Sequence, residues 1–125
     1  MNKKDINQVQ FGDYFLYHGE TVKVTGRSPY NESYCTVENK NGSKFYADVE
    51  ELEPIVINEY TLEQVGIHKD ERYKTIFKYK GIWISYIDGS VWSIRQPFGK
   101  VAMEIKYLHI LQNALRLFGE EVEIK

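Results

Sequence analysis

The residues of this 125-residue chain that could carry out chemistry are few and widely spaced. His18, His68 and His109 lie far apart in the sequence, and Cys35 is the single cysteine. No CxxC, HExxH or EF-hand spacing occurs, so the sequence predicts no metal site. The glycines stand singly at turn positions, and neither GxGxxG nor GxxxxGK[ST] is present to hold a phosphate.

Candidates for catalysis are equally scarce. Cys35 falls in an alternating apolar pattern typical of a core strand, and Ser28 has no neighbouring base in the sequence. The carboxylates crowded into residues 48–53 precede a proline, which is typical of a solvated surface. The sequence therefore predicts a protein that is not an enzyme, with no catalytic residue and no cofactor. A small hydrolase or nuclease is the enzymatic alternative.

The polar side of one predicted helix is the leading binding candidate. Residues 105–119, IKYLHILQNALRLFG, place eight apolar residues on one half of a helix. The other half carries no carboxylate and includes His109, Gln112, Asn113 and Arg116. Such donors suit a carboxylate, a phosphate or exposed backbone groups. We expect these four residues to face solvent and bind a partner; the alternative is that they cap loops or cover a sheet edge.

A basic segment in the second half is the other binding candidate. Residues 68–80, HKDERYKTIFKYK, interleave rings with cations, as surfaces that bind single-stranded nucleic acid do. The cations that would contact an anion or a nucleic acid are Arg72, Lys74, Lys78 and Lys80. Alternate residues of a strand point to opposite faces, however, so the rings and the lysines are predicted to point apart. The net charge of −2 predicts no bulk attraction to nucleic acid.

The first part of the chain, residues 1–57, is predicted to be a β-meander. Apolar and polar residues alternate with period two, and turn signals occur at His18-Gly19 and Asn41-Gly42. Several short strands joined in this way favour a small, partly open SH3-like barrel. An open sheet covered by the rest of the chain is the alternative.

The second part, residues 58–125, is predicted to be α+β. A short helix over 61–66 is expected to begin at Thr61 as its N-cap. A three-to-four-stranded antiparallel sheet follows, and then the C-terminal helix, with Gly119 just beyond its end. The sequence thus predicts a β-rich α+β fold whose two parts form one compact unit.

No segment predicts secretion or membrane insertion. The N-terminal MNKKDINQVQFGDYFLY lacks the apolar stretch of a signal peptide, and no apolar run approaches the roughly 20 residues of a membrane span. We therefore expect a cytoplasmic protein. Exposed strand edges leave a homo-oligomer open.

The C-terminal stretch IKYLHILQNALRLFGEEVEI resembles a signature, roughly xxYVHxLQNLYxALTGxEL, of small uncharacterised proteins from Bacteroidota chromosomes, mobile elements and phages. The matching positions are Tyr107, His109, Leu111, Gln112, Asn113, Leu115 and Gly119. Residues 11–26 and 51–67 are similar to the opening and the middle of the same group. The resemblance implies a two-part fold and a phage or mobile-element origin, and it implies no catalytic residue or cofactor.

Taken together, these features predict a non-enzymatic binding protein. We expect it to act on a host component such as a defence system, either by occluding a host protein or by sequestering a small anionic ligand such as a nucleotide signal. The alternative is a small-barrel protein that binds nucleic acid or nucleotides.

Overall fold

In the part of the chain that the structure describes there are two antiparallel five-stranded sheets and one main helix near the C-terminus, so the expected β-rich α+β class is confirmed. The computed structural model describes residues 9–28, 30, 33–72, 76–87, 91–95 and 103–124. The chain divides into two compact units, the first ending at Ile55 and the second beginning at Val56. The boundary expected from the sequence falls two residues later, after residue 57.

The first unit is an antiparallel sheet with a short 3₁₀ helix. Its elements are β1 (Tyr14–Tyr17), β2 (Glu20–Arg27), β3 (Tyr34–Asn39), β4 (Lys44–Asp48), the 3₁₀ helix Val49–Glu51 and β5 (Leu52–Glu53). The strand order is β4-β3-β2-β1-β5. Because β4 and β5 stand at the two edges, the pairings among the described residues do not form a closed ring. The core includes Phe15, Val37 and Leu52, whose side chains are fully buried.

The two predicted hairpin turns of this unit differ in kind. His18 and Gly19 both have positive φ, 50° and 80°, as a two-residue turn of the primed type requires. At the other hairpin only Gly42, with φ 83°, is left-handed. There the side chain of Asn39 accepts hydrogen bonds from the N–H groups of Asn41 and Ser43, which favours a longer loop.

The second unit packs a sheet against the main helix. Its elements are α1 (Glu59–Gln64), β6 (His68–Lys69), β7 (Ile76–Tyr79), β8 (Ile82–Ile87), β9 (Val91–Arg95), β10 (Met103–Ile105) and α2 (Leu108–Leu117). The strand order is β10-β9-β8-β7-β6, and all the pairs are antiparallel. The predicted turn at Lys80-Gly81 is confirmed, with both φ values positive. The turn predicted at Asp88-Gly89 lies outside the described residues.

Both helices begin at residues other than those predicted. Asn58 caps α1, because its side-chain oxygen accepts the N–H of Thr61 at 2.8 Å, and Thr61 lies inside the helix. Helix α2 begins at Leu108 because Met103–Ile105 pairs with β9 as a strand. Gly119, with φ 79°, follows the end of α2 as predicted. None of the described helices is long and apolar enough to cross a membrane.

Candidate functional site

The polar residues of α2 do not form the expected solvent-facing row. His109 and Gln112 are buried, with 3% and 1% of their surface exposed, so the expectation that they face solvent is wrong. The rings of His109 and Tyr107 stack in parallel with their centroids 6.0 Å apart. The apolar face of α2 is therefore wider than the hydrophobic residue types alone indicate, because a histidine and a glutamine extend it.

The two remaining residues of this row, Asn113 and Arg116, contact the chain beyond α2 and each other. The Arg116 side chain donates to the Asn113 side-chain oxygen at 2.6 Å and to the Glu121 carboxylate at 2.7 Å. Tyr79 of β7 donates its hydroxyl proton to the Glu121 carbonyl at 3.0 Å. The carboxylate missing from the helix is thus supplied by the tail, and the network fixes the tail against α2 and β7. A binding role for Asn113 and Arg116 stays a prediction.

The predicted basic segment is interrupted by acidic partners. Lys78 lies 2.6 Å from the Asp70 carboxylate, and Lys80 lies 3.1 Å from that of Glu120. The hydrogen bond that Lys80 donates to the Glu120 carboxylate raises the pKa of Lys80, which favours its charged form. Arg72 is exposed, and its backbone N–H donates to Asp70. Lys74 lies outside the described residues.

Within β7 the buried Phe77 and the exposed Lys78 point to opposite faces, as the alternation predicts. A ring of the neighbouring strand, however, shares a face of the second sheet with Lys78. Lys78 of β7 pairs with Trp83 of β8, and cross-strand partners project to the same face. The Lys78 ammonium lies 5.4 Å from the centre of the Trp83 ring. His68 pairs with Lys78 from the other side, which adds a third nitrogen-bearing side chain to this face.

A cleft of about 260 Å³ in the first unit has the shape of a binding site. Its apolar walls include Val24, Cys35 and Val49, all buried members of the core. Two aromatic residues at the rim, Phe11 and Tyr34, are 71% and 37% exposed. An opening in a packed core that is bordered by exposed rings is typical of a site for an apolar ligand group.

Arg27 lines this cleft because of an irregularity in β2. Val24 pairs with Val37, but the register then shifts, so that Arg27 pairs with Cys35. In an unshifted register Cys35 would oppose Gly26, and Arg27 would oppose the outward-facing Tyr34. The shift therefore turns Arg27 to the side of the buried Cys35, as β-bulges near binding sites often redirect a side chain.

Glycine suits the bulge because a side chain there would come close to β3. A Cβ atom at Gly26 would lie 3.0 Å from the Thr36 hydroxyl oxygen, closer than ordinary packing allows. That hydroxyl also accepts a hydrogen bond from Thr25 at 3.1 Å. The position of Arg27 at the cleft thus depends on a tight contact between β2 and β3.

The loop that carries the rim residue Phe11 is closed by a buried carboxylate. Asp13 is fully buried, and its side chain accepts the N–H of Gln10 at 3.0 Å. Gly12, with φ 91°, turns the chain and donates its N–H to the Val24 carbonyl. This short loop is therefore attached to β2 beside the cleft, and Asp13 is a positioning residue for its rim.

Cys35 in the cleft wall is a neutral thiol. Burial, reinforced by the nearby Asp48 carboxylate, raises the pKa of Cys35 to about 11. A thiolate is the reactive form of cysteine, so this residue contributes apolar surface to the cleft.

Little in the sequence indicated the cleft. Alternation correctly placed Cys35 in the core. The register shift could not be detected from this alternation, because the apolar pattern continues on both sides of the shift. The sequence predicts that Arg27 begins an exposed polar loop over residues 27–33, where a solvated arginine is the ordinary expectation. Arg27 is exposed as expected, but it is the last residue of β2. A glycine inside a strand was the one available sign of a bulge.

Among the described residues, no group of three or more His, Cys, Asp or Glu side chains is arranged to hold a metal ion. No protein-family model, curated protein or solved structure matches this chain. The cleft, the α2 network and the Trp83 face are therefore interpreted from their own geometry.

Proposed function

We propose that this chain is a non-enzymatic interaction protein whose first unit binds an apolar group of a protein partner in the Arg27 cleft. The observation that carries this proposal is the combination of a core-lined cleft with the exposed ring of Phe11 at its rim. Exposed aromatic residues beside a well-packed pocket are the usual centre of a protein–protein contact. Covering such a ring removes about 150–250 Å² of surface from water.

The organisation of the first unit supports an SH3-like barrel as the scaffold of this site. Five antiparallel strands in the order β4-β3-β2-β1-β5, with a 3₁₀ helix before β5, agree with that architecture. The bulge in β2 provides the kind of bend by which a strand can contribute to two faces of a small barrel.

The biological setting of the proposal follows the resemblance to Bacteroidota and phage proteins. We place the protein in the bacterial cytoplasm, encoded by a phage or mobile element and acting on a host component such as a defence system. Two modes of action on the host fit this setting, namely occlusion of a host protein and sequestration of a nucleotide signal. The apolar walls of the cleft favour occlusion of a host protein.

The test is affinity capture from lysate of a Bacteroidota host, with the wild type and a Phe11→Ser/Tyr34→Ser variant compared by mass spectrometry. The proposal predicts a host protein that the wild type retains and the double variant loses. The matched control is Tyr60→Ser in the second unit, because Tyr60 is as exposed as Phe11. Equal capture by the wild type and the double variant would contradict the proposal.

The second candidate function is nucleotide or single-stranded nucleic-acid binding by the second unit, favoured by the Lys78–Trp83 pair. A base could stack on Trp83 while Lys78 and His68 approach a phosphate. This candidate predicts that binding of a labelled oligonucleotide weakens steeply as salt rises and is lost in Trp83→Leu. Binding that is indifferent to salt would exclude it.

A further inference from the structure

The cleft has room for one large side chain. Its volume is about 260 Å³, whereas an apolar cavity of about 150 Å³ is known to hold benzene. The apolar wall formed by Val24, Cys35 and Val49 offers such a side chain contacts with the core of the unit. The size and the wall chemistry thus fit a single phenylalanine-like or leucine-like group.

Arg27 adds a specific polar requirement. Of the nine described residues that line the cleft, Arg27 is the one with a formal charge. Among the described ion pairs, Lys69, Lys78, Lys80 and Arg116 each have a carboxylate within 3.4 Å, and none of these pairs involves Arg27. The cleft therefore combines apolar walls with a guanidinium that no described carboxylate neutralises. A ligand that complements both must be apolar and anionic.

The anion that fits a single guanidinium best is a carboxylate. Arginine binds a carboxylate through two parallel N–H donors, and one such pair satisfies both charges. A phosphate group carries more charge than a carboxylate, and Arg27 is the one cation among the described lining residues that could balance it. The C-terminal residue of a polypeptide carries its side chain and a free carboxylate on the same carbon atom. When that side chain is apolar, one residue supplies both groups, and the rest of the peptide leaves the cleft on one side only.

We infer that the Arg27 cleft captures the C-terminal residue of its protein partner, with the side chain against Val24, Cys35 and Val49 and the α-carboxylate on Arg27. This inference rests on the proposed function and narrows it to one kind of partner segment. The register shift in β2 contributes to this capture because it pairs Arg27 with the buried Cys35, while the Arg27 side chain itself stays exposed and can reach a ligand in the cleft.

The experiment compares two fluorescent peptides of one sequence that end in phenylalanine, one with a free carboxylate and one with a C-terminal amide. Anisotropy titrations of the full-length protein give the two dissociation constants. We expect the acid to bind at least about tenfold more tightly than the amide. Arg27→Gln should bind both peptides as weakly as the wild type binds the amide. Lys23→Gln, which removes another cation of β2, should keep the difference.

The outcomes of this experiment distinguish failure of the inference from failure of the proposed function on which it rests. Equal binding of acid and amide would overturn the capture of a C-terminus and leave the apolar cleft as a binding site. Tight binding of free 3-phenylpropionate, equal to that of the acid peptide, would identify a small aromatic acid as the ligand and overturn the inference of a partner terminus. No binding of either peptide would count against both the inference and the proposed function. Circular dichroism of Arg27→Gln confirms that the variant is folded.

Discussion

Cys35 shows how strongly the cleft wall belongs to the core. The unfolded chain releases the thiol proton near its ordinary value of 9.0, whereas the folded protein retains it to about 11. Between these values the folded state binds more protons than the unfolded state, so stability falls as the pH rises. Below about pH 9 the full contribution is present.

We therefore predict that the wild type loses about 2 kcal/mol more stability than Cys35→Ala between about pH 8 and pH 11. Urea unfolding of both proteins at several pH values measures this difference, and the comparison cancels the titration of lysines and tyrosines common to both. Parallel pH profiles for the two proteins would show that Cys35 ionises as freely in the folded state as in the unfolded chain.

At the residue scale, His109 shows that residue type alone can predict the wrong exposure for a side chain. A histidine at a polar helix position is ordinarily solvated, but here it is buried and stacked on Tyr107. We predict that His109→Ala lowers the free energy of unfolding by about 2–4 kcal/mol, as truncation of a buried ring does. Asn113→Ala, at a half-buried position of the same helix, should cost less than about 1 kcal/mol.

Denaturant unfolding of the two variants checks this contrast. Similar small losses for both would mean that His109 is not part of the core and would restore the solvent-facing row expected from the sequence. Loss of partner capture by Asn113→Ala without loss of stability would return the binding site to α2.

Among the elements, the β2–β3 pair is the one on which the site depends most. Gly26→Ala places a Cβ atom 3.0 Å from the Thr36 hydroxyl, so we expect it to destabilise the protein by about 1 kcal/mol and to weaken peptide binding through Arg27. In a Thr36→Ala background the close oxygen is absent, and the cost of Gly26→Ala should shrink. A double-mutant cycle of unfolding free energies measures this coupling. Strictly additive effects would show that the close contact is unimportant.

Most elements could be predicted from the sequence, since strands and turns leave local marks. The alternation in β2 and β3 and the Lys80-Gly81 turn depend on neighbouring residues only, and the structure agrees with them. The start of α2 could not be predicted in this way, because Ile105 continues the helical pattern of residues 105–119 but pairs with Trp92 of β9 as a strand residue.

The candidate site could be predicted far less than the elements. Arg27, Phe11 and Tyr34 come together only through the register shift and the loop that Asp13 holds. Both depend on contacts between segments that are separate in the sequence. The sequence therefore suggested a binding protein but directed attention to α2, where two of the four expected residues are buried.

For the molecule as a whole, the salt dependence of binding distinguishes the two candidate functions. The net charge is −2, and capture of one carboxylate by Arg27 involves a single ion pair. We predict that the affinity for the acid peptide changes by no more than about threefold between about 50 and about 200 mM salt. A nucleic acid held through several phosphates would lose affinity by orders of magnitude over the same range. Anisotropy titrations at both salt concentrations distinguish the two.

The most direct test of the central claim is a ¹H–¹⁵N NMR titration of the full-length protein with the acid peptide. We predict that the largest chemical-shift changes occur at backbone amides around the cleft, at Gly26, Arg27, Tyr34, Cys35 and Val49. Changes centred on Lys78 and Trp83 or on Asn113 and Arg116, with the cleft amides unmoved, would contradict it.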